Sequence, residues 1–349
     1  MGSKKILLSG VKPTGRPHIG NYFGAMKQFV DLQDSYESRI FVANLHALTT
    51  LKNKDELEKG AREVVLDYLA IGLDPEKTTL YYQSDVPHVA ELAWIFSCLT
   101  TMPELMLAHA FKAHINKVGV DNFFKSGVLE APISTNHPDD YRSMVSRVFK
   151  GINVGTFTYP LLMAADILLA DADVVPVGKD QVQHIEIARE VARDFNSTFG
   201  ETFKEPKELL VEGVEVVPGT DGQKMSKSYN NTIPLFARDE EIEKAVMSIV
   251  TDSSGEVPKN VYAIHTLLKD KAELDKLYAE NAGKYKVLKD ALVEDLKKFI
   301  APMRERRAEW ESKPEEVEKI LLEGGKKMRE LVHKKMLDVR AKVGLIHHE

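Results

Sequence analysis

Short apolar runs alternate with helical patterns through the first two thirds of the chain, and this alternation constrains the fold most strongly. Runs typical of buried strands lie at 5–9, 39–44, 78–83, 173–178 and 214–217. Buried strands separated by helices are typical of a doubly wound parallel sheet, in which ligands bind where the strands end. Beyond about residue 232 only helical patterns follow. We therefore predict an α/β protein with a Rossmann-type parallel sheet and a C-terminal all-helical domain.

The length of 349 residues exceeds what one ordinary core supports, so we expect two domains, 1–231 and 232–349. Cys98 is the only cysteine, which excludes an internal disulfide and favours a reducing cytoplasm. The apolar run near the start is too short for a signal peptide or a membrane span. The net charge of −6 argues against a protein that coats DNA or RNA regardless of sequence.

A lysine-bearing loop follows the last predicted strand, and its turn residues include Pro218, Gly219 and Gly222. Two lysines within it flank a methionine and a serine. The loop comprises Gln223, Lys224, Met225, Ser226, Lys227 and Ser228. Flexible ammonium groups on such a loop suit phosphate oxygens, because they can follow a phosphoryl group as its charge develops. A solvated basic loop is the alternative interpretation.

The first predicted strand leads through a turn into a helix at Pro17, His18, Ile19, Gly20 and Asn21. A strand–loop–helix junction offers free backbone N–H groups and the positive end of a helix dipole to an anion. The glycine lets a base or a phosphate approach the backbone, and the histidine and asparagine can donate hydrogen bonds. A simple N-cap and turn would have the same appearance.

Asp166 stands in a helix that is apolar on nearly every side, between residues 159 and 170. A buried carboxylate needs a donor, because burial without one costs several kcal/mol. The donor is either a protein group or a ligand in an apolar pocket beside Met163 and Tyr159. His46 follows the second strand, where ligands are also expected, although a single histidine there is more often structural.

A second strand-to-helix junction runs from Gly178 to Glu186, and its Asp180 and Gln181 can bind a ribose hydroxyl or an α-amino group. His184 and Glu186 lack the four-residue spacing of a zinc pair, so we predict no metal site.

The final helical pattern, at 326–343, is strongly basic. Seven lysines and arginines there outnumber Glu330 and Asp338. This segment is either a solvated face or a place where a phosphate backbone docks.

Together the two loops resemble the signatures of class I aminoacyl-tRNA synthetases, and within that class the bacterial tryptophanyl family. His18-Ile19-Gly20-Asn21 resembles the first signature, with Asn21 where many members have a second histidine. Residues 224–228 match the second signature without a change. Tyrosyl enzymes share the fold but typically carry a glutamine in place of Met163. An apolar residue there suits indole, which has one N–H donor and a large apolar body.

The resemblance implies ATP-dependent activation of L-tryptophan followed by transfer to tRNA(Trp), with Mg²⁺ on the ATP and a homodimeric assembly. It implies catalytic roles for His18, Lys224 and Lys227. The implied ATP-binding residues are Lys12, Pro13, Thr14, Gly20, Asn21, Gly178, Lys179, Asp180, Val216, Lys224, Met225, Ser226, Lys227 and Ser228. The implied tryptophan-binding residues are Asp166, Met163, Tyr159, His46, Val177 and Gln181.

Two positions depart from the family pattern. Lys12 replaces a glutamine that contacts ATP, and His114 replaces a lysine. Because of these departures, a catalytically weak paralogue that binds tryptophan or tRNA as a regulator is an alternative function. The sequence also leaves open a tyrosyl enzyme, which shares the fold, and a nucleotidylyltransferase, which shares the first signature. The stretch 118–157 is longer than usual and suggests no function.

Overall fold

The computed structural model describes residues 4–13, 15–108, 111–112, 149, 152–178, 181–210, 217–251 and 257–345. Five parallel strands form one sheet in the order β3-β2-β1-β4-β5. The strands are β1 (Ile6–Val11), β2 (Glu37–Val42), β3 (Thr78–Tyr82), β4 (Val174–Val177) and β5 (Lys207–Leu210). The parallel α/β sheet followed by a helical C-terminal part confirms the predicted fold class.

The helices of the first part connect these strands. They are α1 (Ile19–Asn21), a π-helical segment (Tyr22–Met26), α2 (Lys27–Leu32), α3 (Asn44–Ala47), α4 (Lys54–Ile71), a 3₁₀ turn (Gln83–Asp85), α5 (His88–Ser97), α6 (Met102–Met106), α7 (Val154–Leu169) and α8 (Val182–Phe199). After a 3₁₀ turn at Lys227–Tyr229, the C-terminal part contains α9 (Asp239–Met247), α10 (Lys259–His265), α11 (Lys271–Glu280), α12 (Tyr285–Glu311) and α13 (Pro314–Lys342). None of the helices in the described ranges is long and apolar enough to cross a membrane.

The fifth strand differs from the prediction. Most of the predicted strand at 214–217 lies outside the described residues, and Val217 belongs to no strand. The strand beside β4 is instead β5, whose Lys207 and Leu210 are exposed. An apolar-run criterion misses β5 because edge strands are short and often charged.

The strand order reverses between β1 and β4, since β2 and β3 extend to one side of β1 and β5 to the other. A crevice opens at such a reversal, outside the carboxyl ends of the two strands. The loop after β1 and the junction after β4 therefore lie side by side.

The C-terminal helices share the cores of the sheet. One core joins Leu7 and Ile40 of the sheet with Ile300 of α12, and the other joins Leu8 and Phe41 with Met336 of α13. A small separate cluster contains Leu274, Tyr278 and Leu288. The division at residue 231 stays a prediction.

Helix α13 packs with its backbone directly on the edge strand β3. A Cβ added to Gly324 would lie 2.0 Å from the carbonyl oxygen of Leu80, so only glycine permits this approach. The helix thereby covers an edge that would otherwise be available for pairing.

Much of the positive charge of α13 is directed towards the first part of the chain. Its bonds run from Lys327 to Thr79, from Arg329 to the carbonyl of Asp85, from Lys335 to Asp171, from Arg340 to Glu91 and from Lys342 to Thr202. Lys326 and Lys334 are exposed. Docking of a phosphate backbone on this helix stays a prediction.

Candidate functional site

The first loop is held in shape by a reciprocal cap at the start of α1. The backbone N–H of Asn21 donates to Nδ1 of His18 (3.3 Å), and the backbone N–H of His18 donates to Oδ1 of Asn21 (3.1 Å). Burial lowers the pKa of His18 to about 4, and the nearby charge of Lys227 acts in the same direction. His18 is therefore neutral at pH 7, and because Nδ1 accepts, its proton lies on Nε2, where it can be donated to an anion.

The two signature loops are in contact. A Cβ at Gly20 would lie 2.9 Å from Nδ1 of His18 and 3.3 Å from Cβ of Met225, which is itself buried. The backbone N–H of Ile19 also donates to the carbonyl of Ile233 (3.0 Å), just beyond the lysine loop. A side chain at this position would press on His18 and, less closely, on Met225, so glycine suits the close approach of the two loops.

Asn231 anchors the lysine loop from inside. It is 2% exposed, and its Oδ1 accepts the backbone N–H of Ser226 (2.7 Å). Its Nδ2 donates to the carbonyl of Lys224 (3.1 Å) and to Oδ1 of Asp221 (2.7 Å). Sequence reasoning missed this residue, because an asparagine in a polar turn gives no sign that it is buried.

Of the two lysines on this loop, Lys227 lies next to the first loop. Its ammonium donates to the carbonyl of Gly15 (3.0 Å). Partial burial lowers the pKa of Lys227, while the carboxylate of Asp67 opposes that shift. Lys224 is exposed.

A cavity of about 350 Å³ joins residues from both predicted binding sets. From the tryptophan set it contains Met163, Val177 and Gln181. From the ATP set it contains Lys12, Asn21, Gly178 and Lys227. Pockets of this volume suit small organic ligands.

A larger cavity of about 800 Å³ meets the first at Lys12, Gly15 and Asp67, and Pro13 also lines it. Partial burial lowers the pKa of Lys12. Among the described residues this ammonium has no hydrogen-bond or ion-pair partner.

The remaining predicted residues divide into two groups. Thr14, Lys179, Asp180 and Val216 lie outside the described residues, as does His114. Residues that line neither of the two cavities are His18, Gly20, His46, Tyr159, Asp166, Lys224, Met225, Ser226 and Ser228.

Asp166 has protein donors. Its Oδ2 accepts Nε2 of Gln83 (2.7 Å) and lies 3.1 Å from Nε2 of His46. Burial raises the pKa of Asp166, and the hydrogen bond from His46 opposes that shift. The ring of His46 also meets the edge of Tyr159, whose hydroxyl lies 3.0 Å from Nε2 of His184. Protein groups therefore bond to Oδ2, and within the described ranges no hydrogen bond ends on Oδ1.

Sequence reasoning missed Gln83 and Asp67. Gln83 directly follows β3, and a polar side chain at the end of a buried strand was the available signal. Asp67 lies on α4, is 4% exposed, and accepts Nε of Arg307 from α12 (2.7 Å). Burial raises the pKa of Asp67 to about 6 despite this pairing. A charged residue in a helical pattern is ordinarily taken for a solvated position.

The described residues contain no group of three or more His, Cys, Asp or Glu that could hold a metal ion.

Comparisons with known proteins agree on one family. The family model for class I tRNA synthetases (W and Y) matches residues 2–308. The tryptophan–tRNA ligase of Fusobacterium nucleatum is 43% identical, over 98% of each chain. That of Rhodopirellula baltica is 43% identical, over 97% of this chain and 99% of its own. The crystal structure of the Campylobacter jejuni tryptophanyl-tRNA synthetase complexed with ADP and tryptophan has a TM-score of 0.80 at 37% identity, and covers 97% of this chain and all of its own.

Proposed function

The chain belongs to the class I tRNA synthetases that serve tryptophan and tyrosine, and we propose that its cavity of about 350 Å³ is where tryptophan meets ATP. The activity is that of a tryptophan–tRNA ligase: L-tryptophan and ATP give tryptophanyl-adenylate and pyrophosphate, and the tryptophanyl group passes to the 3′ end of tRNA(Trp). The observation that supports this placement is that Met163, Val177 and Gln181 share the cavity with Gly178 and Lys227.

The amino acid binds, in this proposal, along the inner face of α7. Met163 and Val177 supply apolar surface for an indole ring, and Gln181 supplies an amide for the polar end of the amino acid. Asp166 is about one helical turn beyond Met163 on the same face, and we propose that its carboxylate accepts the N–H of the ring. His46 holds that carboxylate through its hydrogen bond to Oδ2, and the ring of Tyr159 packs against the ring of His46.

ATP binds across the two signature loops. Its adenine and ribose lie along Gly20, Asn21, Gly178 and Met225, and its phosphates lie towards Lys12 and Lys227. The remaining predicted contacts are Pro13, Thr14, Lys179, Asp180, Val216, Lys224, Ser226 and Ser228. Mg²⁺ enters as part of the ATP substrate, because triphosphate oxygens are ligands that it prefers.

Activation needs no general base. The tryptophan carboxylate is ionised at neutral pH and attacks the α-phosphorus directly, while pyrophosphate leaves. The rate then depends on holding the reactants in line and on stabilising the charge on the phosphates. Lys224 and Lys227 supply positive charge, and the neutral His18 donates from Nε2.

The acceptor of the tryptophanyl group is tRNA(Trp), which the helical region 232–349 binds in part. The protein acts in the cytoplasm, where tRNA is charged. A homodimer is supported by large apolar side chains exposed on α5, α6 and nearby segments: Trp94 (71%), Met102 (55%), Leu107 (60%) and Val154 (78%). Sedimentation of the protein and of Trp94→Lys tests this, since the substitution should shift a dimer towards monomer.

ATP–pyrophosphate exchange with each of the twenty amino acids is the direct test of activation. Exchange should depend on tryptophan, and charging of tRNA(Trp) should follow. Exchange driven equally by tyrosine would favour a tyrosyl enzyme, and tryptophan binding without exchange would favour a regulatory paralogue.

A further inference from the structure

Gln83 connects three parts of the site through one buried side chain. It is 1% exposed and opens the 3₁₀ turn after β3. Its Oε1 accepts the backbone N–H groups of Leu45 (3.1 Å) and His46 (3.3 Å). Its Nε2 donates to Oδ2 of Asp166 (2.7 Å). The amide has only one orientation that satisfies all three bonds, because a flipped amide would face two N–H donors with its own N–H group.

The donors to Asp166 crowd one of its oxygens. Both Gln83 and His46 reach Oδ2. Among the described residues no hydrogen bond ends on Oδ1. A single carboxylate oxygen can accept hydrogen bonds from two donors, as Oδ2 does here. Oδ1 can therefore still accept a hydrogen bond from a ligand.

We infer that Gln83 is a positioning residue for substrate selection: it holds Oδ2 of Asp166 within the protein and so presents Oδ1 to a single N–H on the side chain of the bound amino acid. This inference rests on the proposed tryptophan site. It makes the choice of substrate depend on one ring donor as well as on ring shape. A site built around such a bond rejects an analogue that lacks the donor, because Oδ1 is then left buried without a hydrogen bond.

Without the Gln83 amide, His46 alone would hold the carboxylate. The group could then rotate, so Oδ1 would no longer be fixed opposite the ring N–H, and the bond that favours tryptophan would weaken. Loss of Gln83 should therefore lower discrimination more than it lowers catalysis in general. A purely structural role would instead lower the activity towards every substrate alike.

The experiment compares L-tryptophan with benzothienyl-alanine, in which sulfur replaces the ring N–H at nearly the same size. We measure kcat/KM in pyrophosphate exchange for each substrate and divide the value for tryptophan by the value for benzothienyl-alanine. In Gln83→Met the ratio should fall at least about tenfold, mainly through the value for tryptophan, with the KM for ATP unchanged.

Gln83→Glu supplies a second readout. Its carboxylate still accepts the N–H groups of Leu45 and His46, but it repels Asp166 until it is protonated. Burial and the neighbouring carboxylate raise the pKa of the new acid, so protonation should restore the donor as the pH falls from about 9 to about 6. The ratio should then rise towards the wild-type value. This variant also decides the question if Gln83→Met does not fold.

Gln33→Glu is the matched control. Gln33 is likewise buried, with Nε2 bonded to the carbonyl of Gly72 (3.2 Å) and Oε1 accepting the N–H of Asp74 (2.8 Å), but it contacts neither the cavity nor Asp166. Its substitution should leave the ratio unchanged.

The inference would be overturned if both Gln83 variants kept the wild-type ratio, which includes an equal loss of kcat/KM for the two substrates. Asp166→Asn separates this from failure of the proposed site. If Asp166→Asn lowers the ratio while the Gln83 variants do not, only the role of Gln83 is wrong. If Asp166→Asn also keeps the ratio, the placement of the indole at Asp166 is wrong as well.

Discussion

Burial of the Asp67 carboxyl, which pairs with Arg307, should make the stability of the protein fall as pH rises through the mildly acidic range. Burial raises the pKa of Asp67 from 3.8 to about 6, because desolvation of the carboxylate outweighs its pairing with Arg307. The unfolded chain therefore releases this proton first as the pH rises, and unfolding becomes easier until the folded carboxyl is also ionised.

The size of the effect follows from that difference. The difference between a pKa of 3.8 and one of about 6, at roughly 1.4 kcal/mol per pKa unit, corresponds to about 3 kcal/mol of unfolding free energy lost between about pH 4 and pH 7. Asp67→Asn keeps an oxygen for Nε of Arg307 but cannot ionise. The variant should therefore gain about 3 kcal/mol relative to the wild type over this range.

Urea unfolding at a series of pH values measures the difference in unfolding free energy between Asp67→Asn and the wild type. The protein concentration is kept constant, because assembly of the chains would otherwise contribute to the measured stability. Glu241→Gln is the control of opposite sign: a hydrogen bond from Arg16 lowers the pKa of Glu241 to about 2, so its contribution to stability is lost as pH falls. The reasoning would be refuted if the unfolding free energies of the wild type and Asp67→Asn differed by the same amount at every pH. It would also be refuted if this difference shrank as the pH rises, since the pairing with Arg307 would then outweigh desolvation.

Three further substitutions test the loops and the packing. Lys227→Ala should slow adenylate formation far more than it weakens tryptophan binding, measured by single-turnover kinetics and equilibrium titration; equal losses would contradict its assignment to the phosphates. Asn231→Ala removes the internal anchor of the lysine loop and should raise the KM for ATP and lower kcat, with the affinity for tryptophan kept; an unchanged kcat would show that the loop holds its shape without this anchor. Gly324→Ala should destabilise the protein by about 2 kcal/mol, because the steric cost against Leu80 exceeds the gain in helix propensity. Gly24→Ala, where no atom lies within 4 Å of the new Cβ, should show no such loss in thermal unfolding.

The sequence could predict the parts of the site that depend on local pattern. The loop at 17–21 and the junction at Gly178 each follow an apolar strand, and the strand order places both at one crevice. Alternation of strand and helix is a local signal, and parallel topology then follows from right-handed connections. Met163, Val177 and Lys227, which the local patterns and the family resemblance predict as binding residues, line one cavity.

The parts that escaped prediction depend on contacts between distant segments. Asp67 and Arg307 are separated by most of the chain, and Gln83 meets Asp166 only because β3 and α7 pack at the same end of the sheet. No periodicity reports such a pair, since each partner is an ordinary polar residue in its own segment. The edge strand β5 escaped for a related reason: its pairing partner, rather than its own composition, makes it a strand.

The shared cores lead to a prediction about the helical region as a whole. Residues 1–231 resemble a complete Rossmann-type unit in sequence, yet the second core of the sheet includes Met328, Val332, Met336 and Val339 of α13. At roughly 1.5–3 kcal/mol for each buried side chain, these residues contribute about 6–12 kcal/mol, which is comparable to the whole stability of a typical domain of 5–15 kcal/mol. Removing α13 also uncovers the edge of β3. A chain that ends at residue 231 should therefore fail to unfold cooperatively and should bind a hydrophobic dye. A sharp thermal transition in that fragment would instead show that the sheet and its first helices fold independently of the C-terminal helices.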